Sequence, residues 1–280
     1  MKILVIGDLM EDLIVQTKEP IRPNTDTSAN ITKSPGGAAA NVAAWLAFFG
    51  KDVTFASCVG KNDAAAFSHE MKVQGIEPML QVSEKPTGSI VVLVDGNNRS
   101  MLTDRGANDD LKLEEIDPRG FGIVYLSGYA LLGKSSETVS AFIASCRRSN
   151  ALVAIDPGST GFIVDYGTAA FRELVISCDI ALPNQEEEEL LNLGGNLPLT
   201  IVTKGSMGAE AIWSSGQKIQ IPAAEIDLVD PTGAGDAFAA GFLAALSESS
   251  GSIDSKSVET AIQAGIEAGG RAAHLVGARP

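Results

Sequence analysis

The sequence predicts an α/β protein whose main sheet is mostly parallel, doubly wound and covered by helices on both faces. Residues Ile3–Ile6 form a short, continuous apolar run that ends at Gly7-Asp8, as expected of a buried parallel strand. From about residue 108, apolar runs of strand length alternate with segments of helical period, the pattern of a doubly wound sheet. The chain is 45% hydrophobic but only 5% aromatic and has 29 glycines, a mixture that suits close packing of helices on a sheet.

The first third of the chain supplies strands and two helices. Residues 9–34 show no helical period, which predicts short strands and loops outside the main sheet. A helix is expected over Ala38–Phe49 because its apolar residues share one face and Gly50 follows. A strand at Val53–Val59 and a helix over 62–75 complete this part.

Two strand-like runs, Ser89–Val94 and Arg99–Thr103, flank Asp95-Gly96-Asn97-Asn98, and this arrangement predicts a β-hairpin. A meander is expected between Ala209 and Val229. The remaining elements are expected as strands at Gly122–Ser127, Leu152–Asp156, Ile180–Pro183 and Leu199–Thr203, and as helices at Ser135–Arg148, Thr168–Ser177, Gln185–Leu193, Ala234–Ser247 and Lys256–His274.

Composition excludes several classes of function. The net charge is −14, so an acidic surface would repel nucleic acid and anionic membranes, and neither is expected as a partner. The three cysteines are widely spaced and the two histidines lie far apart, which argues against a disulfide framework or a zinc site. The N-terminal apolar run is too short for a signal peptide, and we therefore expect a cytoplasmic protein.

The segment Asp230-Pro231-Thr232-Gly233-Ala234-Gly235-Asp236 precedes an alanine-rich helix and predicts an anion site. Its small residues let a ligand approach the backbone, and the first N–H groups of a helix lack acceptors within the helix. An acidic Asp236 there is suited to accept a proton from a hydroxyl beside a phosphoryl group. The alternative is that Asp236 only caps the helix.

This segment and a second one resemble the two signatures of the ribokinase-like (PfkB) carbohydrate kinases. The pattern D-x-T-G-A-G-D is met by Asp230–Asp236, and Gly-Gly followed four residues later by Asn is met by Gly36-Gly37 and Asn41. The resemblance extends over nearly the whole chain. It implies that Asp236 is the catalytic base and that the N–H groups of Gly233, Ala234 and Gly235 bind the transferred phosphoryl group.

The same resemblance implies an acceptor site. Asp12 matches the strand-end aspartate that holds sugar hydroxyls, and Gly36, Gly37 and Asn41 complete that site. Arg105 and Asn108 fall where the lid returns to the main sheet and are implied as substrate contacts. Arg105 can also be read as a surface arginine beside Asp104.

On the nucleotide side, Asn184 and Glu187 match the N-x-x-E pattern, which places Glu187 near Mg²⁺, through water. Lys204, Gly205 and Gly208 match the nucleotide-side strand and turn, and Thr232 is implied as a further cofactor contact. Asp230 falls where some members of the family build a monovalent-cation site for K⁺.

The resemblance implies a large domain of residues 1–8, 35–86 and 106–280 and a β lid of residues 9–34 and 87–105. The implied activity is transfer of the γ-phosphoryl group of ATP to a hydroxyl of a ribose-, fructose- or sugar-acid-like acceptor, with Mg²⁺. The same family contains nucleoside kinases, including pseudouridine-type kinases, so a nucleoside acceptor stays open. A lid with exposed strand edges and an exposed apolar face also allows a homodimer through the lid.

Two readings from other classes remain. Gly128-Tyr129-Ala130-Leu131-Leu132-Gly133-Lys134-Ser135 fits the P-loop pattern G-x-x-x-x-G-K-[ST], with Lys134 on the phosphates and Ser135 on Mg²⁺. Bulky residues at its variable positions disfavour this, and Ser135 as a helix cap with a solvated Lys134 is the simpler interpretation. The other reading is a non-catalytic sugar-binding regulator, against which the presence of Asp236 and Glu187 argues.

Overall fold

In the computed structural model, which describes residues 1–95, 98–275 and 277–280, the chain forms one large sheet, one small sheet and helices. The strands are, in chain order, β1 (Ile3–Ile6), β2 (Met10–Thr17), β3 (Ala29–Gly36), β4 (Val53–Gly60), β5 (Ile76–Ser83), β6 (Gly88–Asp95), β7 (Asn98–Asp104), β8 (Ile123–Ser127), β9 (Leu152–Asp156), β10 (Ile180–Ala181), β11 (Leu199–Thr203), β12 (Ala209–Trp213) and β13 (Lys218–Ile221). The helices are α1 (Ala38–Phe48), α2 (Ala64–Val73), α3 (Ser136–Arg148), α4 (Thr160–Tyr166), α5 (Thr168–Ile176), α6 (Gln185–Leu191), α7 (Ala234–Glu248) and α8 (Ser255–Ala273).

The large sheet has nine strands in the order β13-β12-β11-β10-β9-β8-β1-β4-β5. In this spatial order, neighbouring strands pair in parallel from the β5 edge through β4, β1, β8, β9 and β10 to β11. The β12–β13 hairpin then adds an antiparallel edge. The predicted mainly parallel sheet is confirmed.

Helices cover both faces of this sheet, as predicted. In β1 the side chains of Ile3 and Val5 pack into the core layer beneath α1, α7 and α8, while those of Leu4 and Ile6 pack into the opposite layer with α3 and α5. A strand that is apolar on both faces needs a helix layer on each. Within the described residues, the structure contains no helix of the length and apolarity that a membrane span requires.

The small sheet, called the lid sheet below, has the order β3-β2-β6-β7. β2 pairs antiparallel with β3 and parallel with β6, and β6 pairs antiparallel with β7. The predicted hairpin is therefore present, although Gly96 and Asn97 of its turn lie outside the described residues. Ile31 and Met101 are 64% and 61% exposed on this sheet, and the homodimer through it stays a prediction.

Five elements differ from the sequence predictions. β5 was not predicted, because Glu77, Pro78 and Gln81 interrupt its apolar pattern as edge strands allow. The meander over 209–229 contains the β12–β13 hairpin, and α4 was missed. The helix α6 ends at Leu191 rather than Leu193, because Asn192 adopts a left-handed conformation with φ 49°.

Candidate active site

A cavity of about 620 Å³ lies between the carboxyl ends of the central strands and the lid sheet. Ligand sites of open parallel sheets occur at this edge, where consecutive loops diverge. Its floor carries Asp8, Asn41 and Asp236, and the lid sheet contributes Asp12 of β2 and the apolar residues of the roof.

Asp236 lies in the first turn of α7 at the floor of the cavity. Asn41 Nδ2 donates a hydrogen bond to Asp236 Oδ2 at 2.9 Å. Burial raises the pKa of Asp236 well above its usual value; Asp156 and Asp8 add to this, whereas Asn41 and Arg279 lower it. A carboxylate with a raised pKa in a cavity is suited to accept a proton.

The loop before α7 leaves room for a ligand at its backbone. Gly233 has φ 77°, a left-handed conformation that favours glycine, and a side chain on Gly235 would meet no atom within 4 Å. The N–H of Ala234 donates to Pro231 O at 3.2 Å and is thus already used. Among the described residues, the N–H groups of Gly233 and Gly235 have no such backbone acceptor, and the phosphoryl-binding role of this loop stays a prediction.

Asp12 extends from β2 toward the cavity. Its Oδ1 is buried and has no hydrogen-bond partner in the described part of the chain, and its pKa is raised to about 6, mainly by burial. Gly36 lies directly beside it, since a Cβ at Gly36 would be 2.1 Å from that oxygen. A buried acceptor oxygen facing a cavity is the arrangement that a substrate hydroxyl would satisfy.

Asp8 was not predicted as a site residue. Its Oδ2 accepts from the N–H of Ala38 at 2.9 Å and its Oδ1 from Ser127 Oγ at 3.2 Å, so it joins β1, α1 and β8. Gly37 has φ 95°, and a Cβ there would be 2.5 Å from Asp8 O. The signal in the sequence was Asp8 itself, an acidic residue immediately after a buried parallel strand.

Arg105 and Asn108 have different environments. Arg105 lines the cavity and is held by Tyr129 O at 2.8 Å and Asp109 Oδ1 at 2.7 Å, so it is not a surface arginine. Asn108 is 3% exposed and its amide exchanges hydrogen bonds with the backbone of Leu9, each 3.0 Å long. Its polar atoms therefore hold the chain where β1 leads to β2, and Asn108 is not among the residues that line the cavity.

Asn184 and Glu187 form the N-terminal cap of α6. Asn184 Oδ1 accepts from the N–H of Glu187 at 2.9 Å, and Glu187 Oε2 accepts from the N–H of Asn184 at 2.9 Å. Glu187 is 4% exposed, and burial together with nearby Asp156 raises its pKa. Burial also raises the pKa of the half-buried Asp156, and a cation beside Glu187 and Asp156 would favour the ionised forms of both carboxyl groups.

Asp230 and Thr232 shape the loop before α7. Asp230 Oδ1 accepts from the N–H of Thr232 at 2.9 Å and from its hydroxyl at 2.6 Å, while Oδ2 accepts from the N–H of Gly277 at 3.3 Å. Both residues line the cavity. The cation predicted beside Asp230 stays a prediction.

Lys204 lies outside the cavity lining, in the turn between β11 and β12. Its Nζ donates to Glu210 Oε2 at 2.6 Å, and both line a separate groove of about 380 Å³. The turn is tight, because a Cβ at Gly208 would be 2.0 Å from Ile221 O, and Gly205 also has a positive φ of 55°. The nucleotide role of this turn stays a prediction.

Comparisons with known proteins address the family and the fold. The sequence model of the family described as "pfkB family carbohydrate kinase" matches residues 1–280. The chain belongs to the PfkB family. It is 32% identical over 232 residues to the ATP-dependent ribose-1-phosphate kinase of Halopiger xanaduensis, covering 79% of this chain and 77% of that protein. It is 29% identical to the fructokinase of Klebsiella pneumoniae, covering 88% and 84%.

A solved structure shows the same fold. The adenosine kinase of Sinorhizobium meliloti superposes with a TM-score of 0.85 at 21% identity, covering 100% of this chain and 95% of that one. This PfkB protein is therefore a phosphotransferase with an alcohol group as acceptor, and kinases of its family use ATP and Mg²⁺ in general.

The structure does not favour the P-loop reading of this PfkB protein's residues 128–135. Gly128–Leu131 forms a 3₁₀ turn, and the N–H groups of Leu132 and Lys134 donate to Tyr129 O at 3.4 Å and Leu131 O at 3.0 Å, so these two amides are already used within the loop. Ser135 caps α3 by accepting from the N–H of Thr138 at 3.2 Å, as the simpler interpretation expected. Lys134 is not fully solvated: it donates to Asp109 O at 3.0 Å, and burial lowers its pKa.

Arg279 is the second residue that the sequence did not identify. Its Nε donates to Asn41 Oδ1 at 2.9 Å and its Nη2 to Gly36 O at 3.0 Å. Asn41 and Arg279 are 238 residues apart, and no local pattern of the sequence connects them.

Proposed function

We propose that this PfkB-family kinase transfers the γ-phosphoryl group of ATP to a hydroxyl of a small sugar, with Asp236 as the base. The observation that carries the proposal is the position of Asp236. It lies at the N-terminus of α7, beside open backbone at Gly235, and in the same cavity as the unpartnered oxygen of Asp12. The cavity is thus bordered by three groups: the proposed phosphoryl-binding loop at Gly235, the proposed base Asp236, and Asp12 as the carboxylate that would bind a hydroxyl.

In the proposed reaction, the oxygen of the acceptor hydroxyl forms a bond to the γ-phosphorus while Asp236 takes the proton of that hydroxyl. The bond from that phosphorus to the oxygen it shares with the β-phosphorus breaks, and ADP leaves with the electron pair. The N–H groups of Gly233 and Gly235 would bind the phosphoryl oxygens at the positive end of the helix. The lid sheet would exclude water, which otherwise competes with the acceptor.

The residues present fit a divalent cation on the nucleotide side. The buried Glu187 and the half-buried Asp156 have raised pKa values, and a bound Mg²⁺ would favour their ionised forms and neutralise phosphate charge. We place Mg²⁺ at Glu187, through water, and Asp156 is an additional candidate. Asp230 is the residue that we would place beside a monovalent cation such as K⁺.

A nucleoside is the second candidate acceptor. The roof of the cavity carries Ile14, Ile90 and Val92, and one wall carries Tyr129 and Phe162, whose rings meet edge to face at 5.6 Å. A free sugar exposes few apolar atoms, whereas a nucleobase would bury an apolar face against these residues.

The test is a screen of neutral sugars, sugar phosphates and nucleosides for acceptor-dependent ADP release. We expect at least one acceptor with kcat/KM of about 10⁴ M⁻¹s⁻¹ or higher, as for ordinary enzymes. Higher values for nucleosides than for the matching free sugars would favour the second candidate. ADP release that no acceptor stimulates would contradict the proposal.

The acceptor site is tested by Asp12→Asn. Loss of a charged hydrogen-bond acceptor should raise the KM of the accepted sugar by about 10- to 100-fold. The KM of ATP should change by less than about twofold. Asp26→Asn, at an exposed aspartate in the loop between β2 and β3, is the control and should change neither. Equal changes in both KM values for Asp12→Asn would contradict the assignment.

A further inference from the structure

Arg279 lies behind the floor of the cavity, against the amide that binds the candidate base. Its Nε donates to Asn41 Oδ1 at 2.9 Å, and Asn41 Nδ2 in turn donates to Asp236 Oδ2 at 2.9 Å. We propose that Arg279 is a positioning residue for Asp236, acting through Asn41. This inference rests on the proposed role of Asp236 as the base.

The hydrogen bonds determine which way the Asn41 amide points. An arginine side chain has only donors, so it can accept nothing from an amide N–H₂ group. With Arg279 on one side and a carboxylate on the other, one orientation satisfies both ends of the amide. The reversed orientation would set N–H groups against the guanidinium and the amide oxygen against Asp236. Because Asn41 is 5% exposed, water would not relieve that conflict.

Arg279 also changes the electrostatics of the base. The titratable groups that interact with Asp236 or with Arg279 come from β1, β8, β9 and their following loops, from β2 and α2, and from the C-terminal segment. They are Asp8, Asp12, Glu70, Tyr125, Tyr129, Asp156 and Arg279. The two phenols stay neutral because burial raises their pKa. Among these groups Arg279 has the positive charge, and it lowers the pKa of Asp236 while Asp8 and Asp156 raise it. A base must be ionised to accept a proton, so the charge of Arg279 widens the active pH range on its acid side.

The position of Arg279 does not depend on its own side chain alone. Ala278 O accepts from Trp45 Nε1 at 2.9 Å, and the N–H of Gly277 donates to Asp230 Oδ2 at 3.3 Å. A substitution at 279 therefore leaves the segment attached at two other points, and the variants below should fold.

The experiment compares Arg279→Met and Arg279→Lys with the wild type. Arg271→Met is the matched control, because Arg271 is an exposed arginine at the end of α8 that stacks on the ring of Phe48 at 4.6 Å. For Arg279→Met we expect the acid limb of the kcat–pH profile to move up by about one pH unit, the usual effect of a lost neighbouring charge. The KM of ATP should stay within about threefold. Arg279→Lys keeps the charge and should recover most of the shift, and Arg271→Met should leave the profile unchanged.

A second readout needs no acceptor. The ¹³C signal of the Asp236 carboxyl group, assigned by its loss in Asp236→Asn, should titrate at higher pH in Arg279→Met than in the wild type. Unchanged pH profiles and an unchanged titration in Arg279→Met would overturn the inference about Arg279. Wild-type turnover in Asp236→Asn would instead overturn the proposed base, so the two failures are distinguishable.

Discussion

The two glycine-containing loops of this protein, residues 128–135 and 230–236, both have sequences typical of phosphate binding but differ in structure. In the first, the N–H groups of Leu132 and Lys134 donate to Tyr129 O and Leu131 O, and the backbone turns on itself. In the second, the space at Gly235 is open and the loop leads into α7. A phosphate site requires N–H groups without intramolecular acceptors, and a match of residue letters does not specify this.

The charged residues of the two loops differ in the same way. Lys134 of the first loop donates to Asp109 O at 3.0 Å and lies outside the residues that line the cavity. Asp236 of the second lies on the cavity floor, bonded to Asn41. The comparison therefore favours the second loop as the site of the chemistry and a structural role for the first, and four substitutions test it.

The largest effect is expected for Asp236→Asn. The amide keeps the shape of the side chain but lacks a basic oxygen, so kcat should fall by on the order of 10²–10⁴, the usual contribution of a positioned base. ATP affinity should be kept, since a negative charge near the γ-phosphate is removed. Steady-state kinetics with the best acceptor and a nucleotide-binding titration are the two measurements. Near-normal turnover of Asp236→Asn would show that another group acts as the base.

A matched pair of glycines gives the intermediate effect. Gly233 and Gly133 have similar positive φ values of 77° and 73°, but a Cβ at Gly233 would be 2.6 Å from Ala278 Cα, whereas at Gly133 nothing lies within 4 Å. Both alanine variants should lose about 1–2 kcal/mol of folding free energy from backbone strain.

Only Gly233→Ala should also lose activity, by on the order of 10²-fold, because the segment holding Arg279 must move. Thermal unfolding of both variants measures the cost of backbone strain, and their turnover measures the effect of moving the segment that holds Arg279. Similar activity losses in the two variants would remove the distinction between the loops.

The smallest effect is expected for Lys134→Ala. The side chain makes one hydrogen bond to a backbone carbonyl at the surface, so turnover and ATP affinity should change by less than about threefold. A collapse of ATP affinity in this variant would reverse the comparison and place nucleotide binding at residues 128–135.

Much of the fold follows from local patterns. Runs such as Ile3–Ile6 and Leu152–Asp156 are apolar on both faces and can be satisfied only between two helix layers, which is where the structure places them. Strands with weaker patterns were not predicted individually: β5 lies at a sheet edge and tolerates Glu77 and Pro78, and β12 and β13 were covered only by a predicted meander. The hydrophobic pattern of a sequence reflects which residues are buried, so it predicts strands least well where they are only partly buried.

The sequence alone indicated the loop before α7, because glycine at 233 suits a left-handed backbone, glycine at 235 leaves the backbone open, and the aspartate at 236 opens an alanine-rich helix. It also determined the hairpin of β6 and β7, whose pairing is local. Only the tertiary structure decided that β2 pairs in parallel with β6, that Asp8 joins three elements, and that Arg279 reaches Asn41. These contacts join residues far apart in the chain, so they depend on how the assembled layers bring the loops together rather than on any local preference.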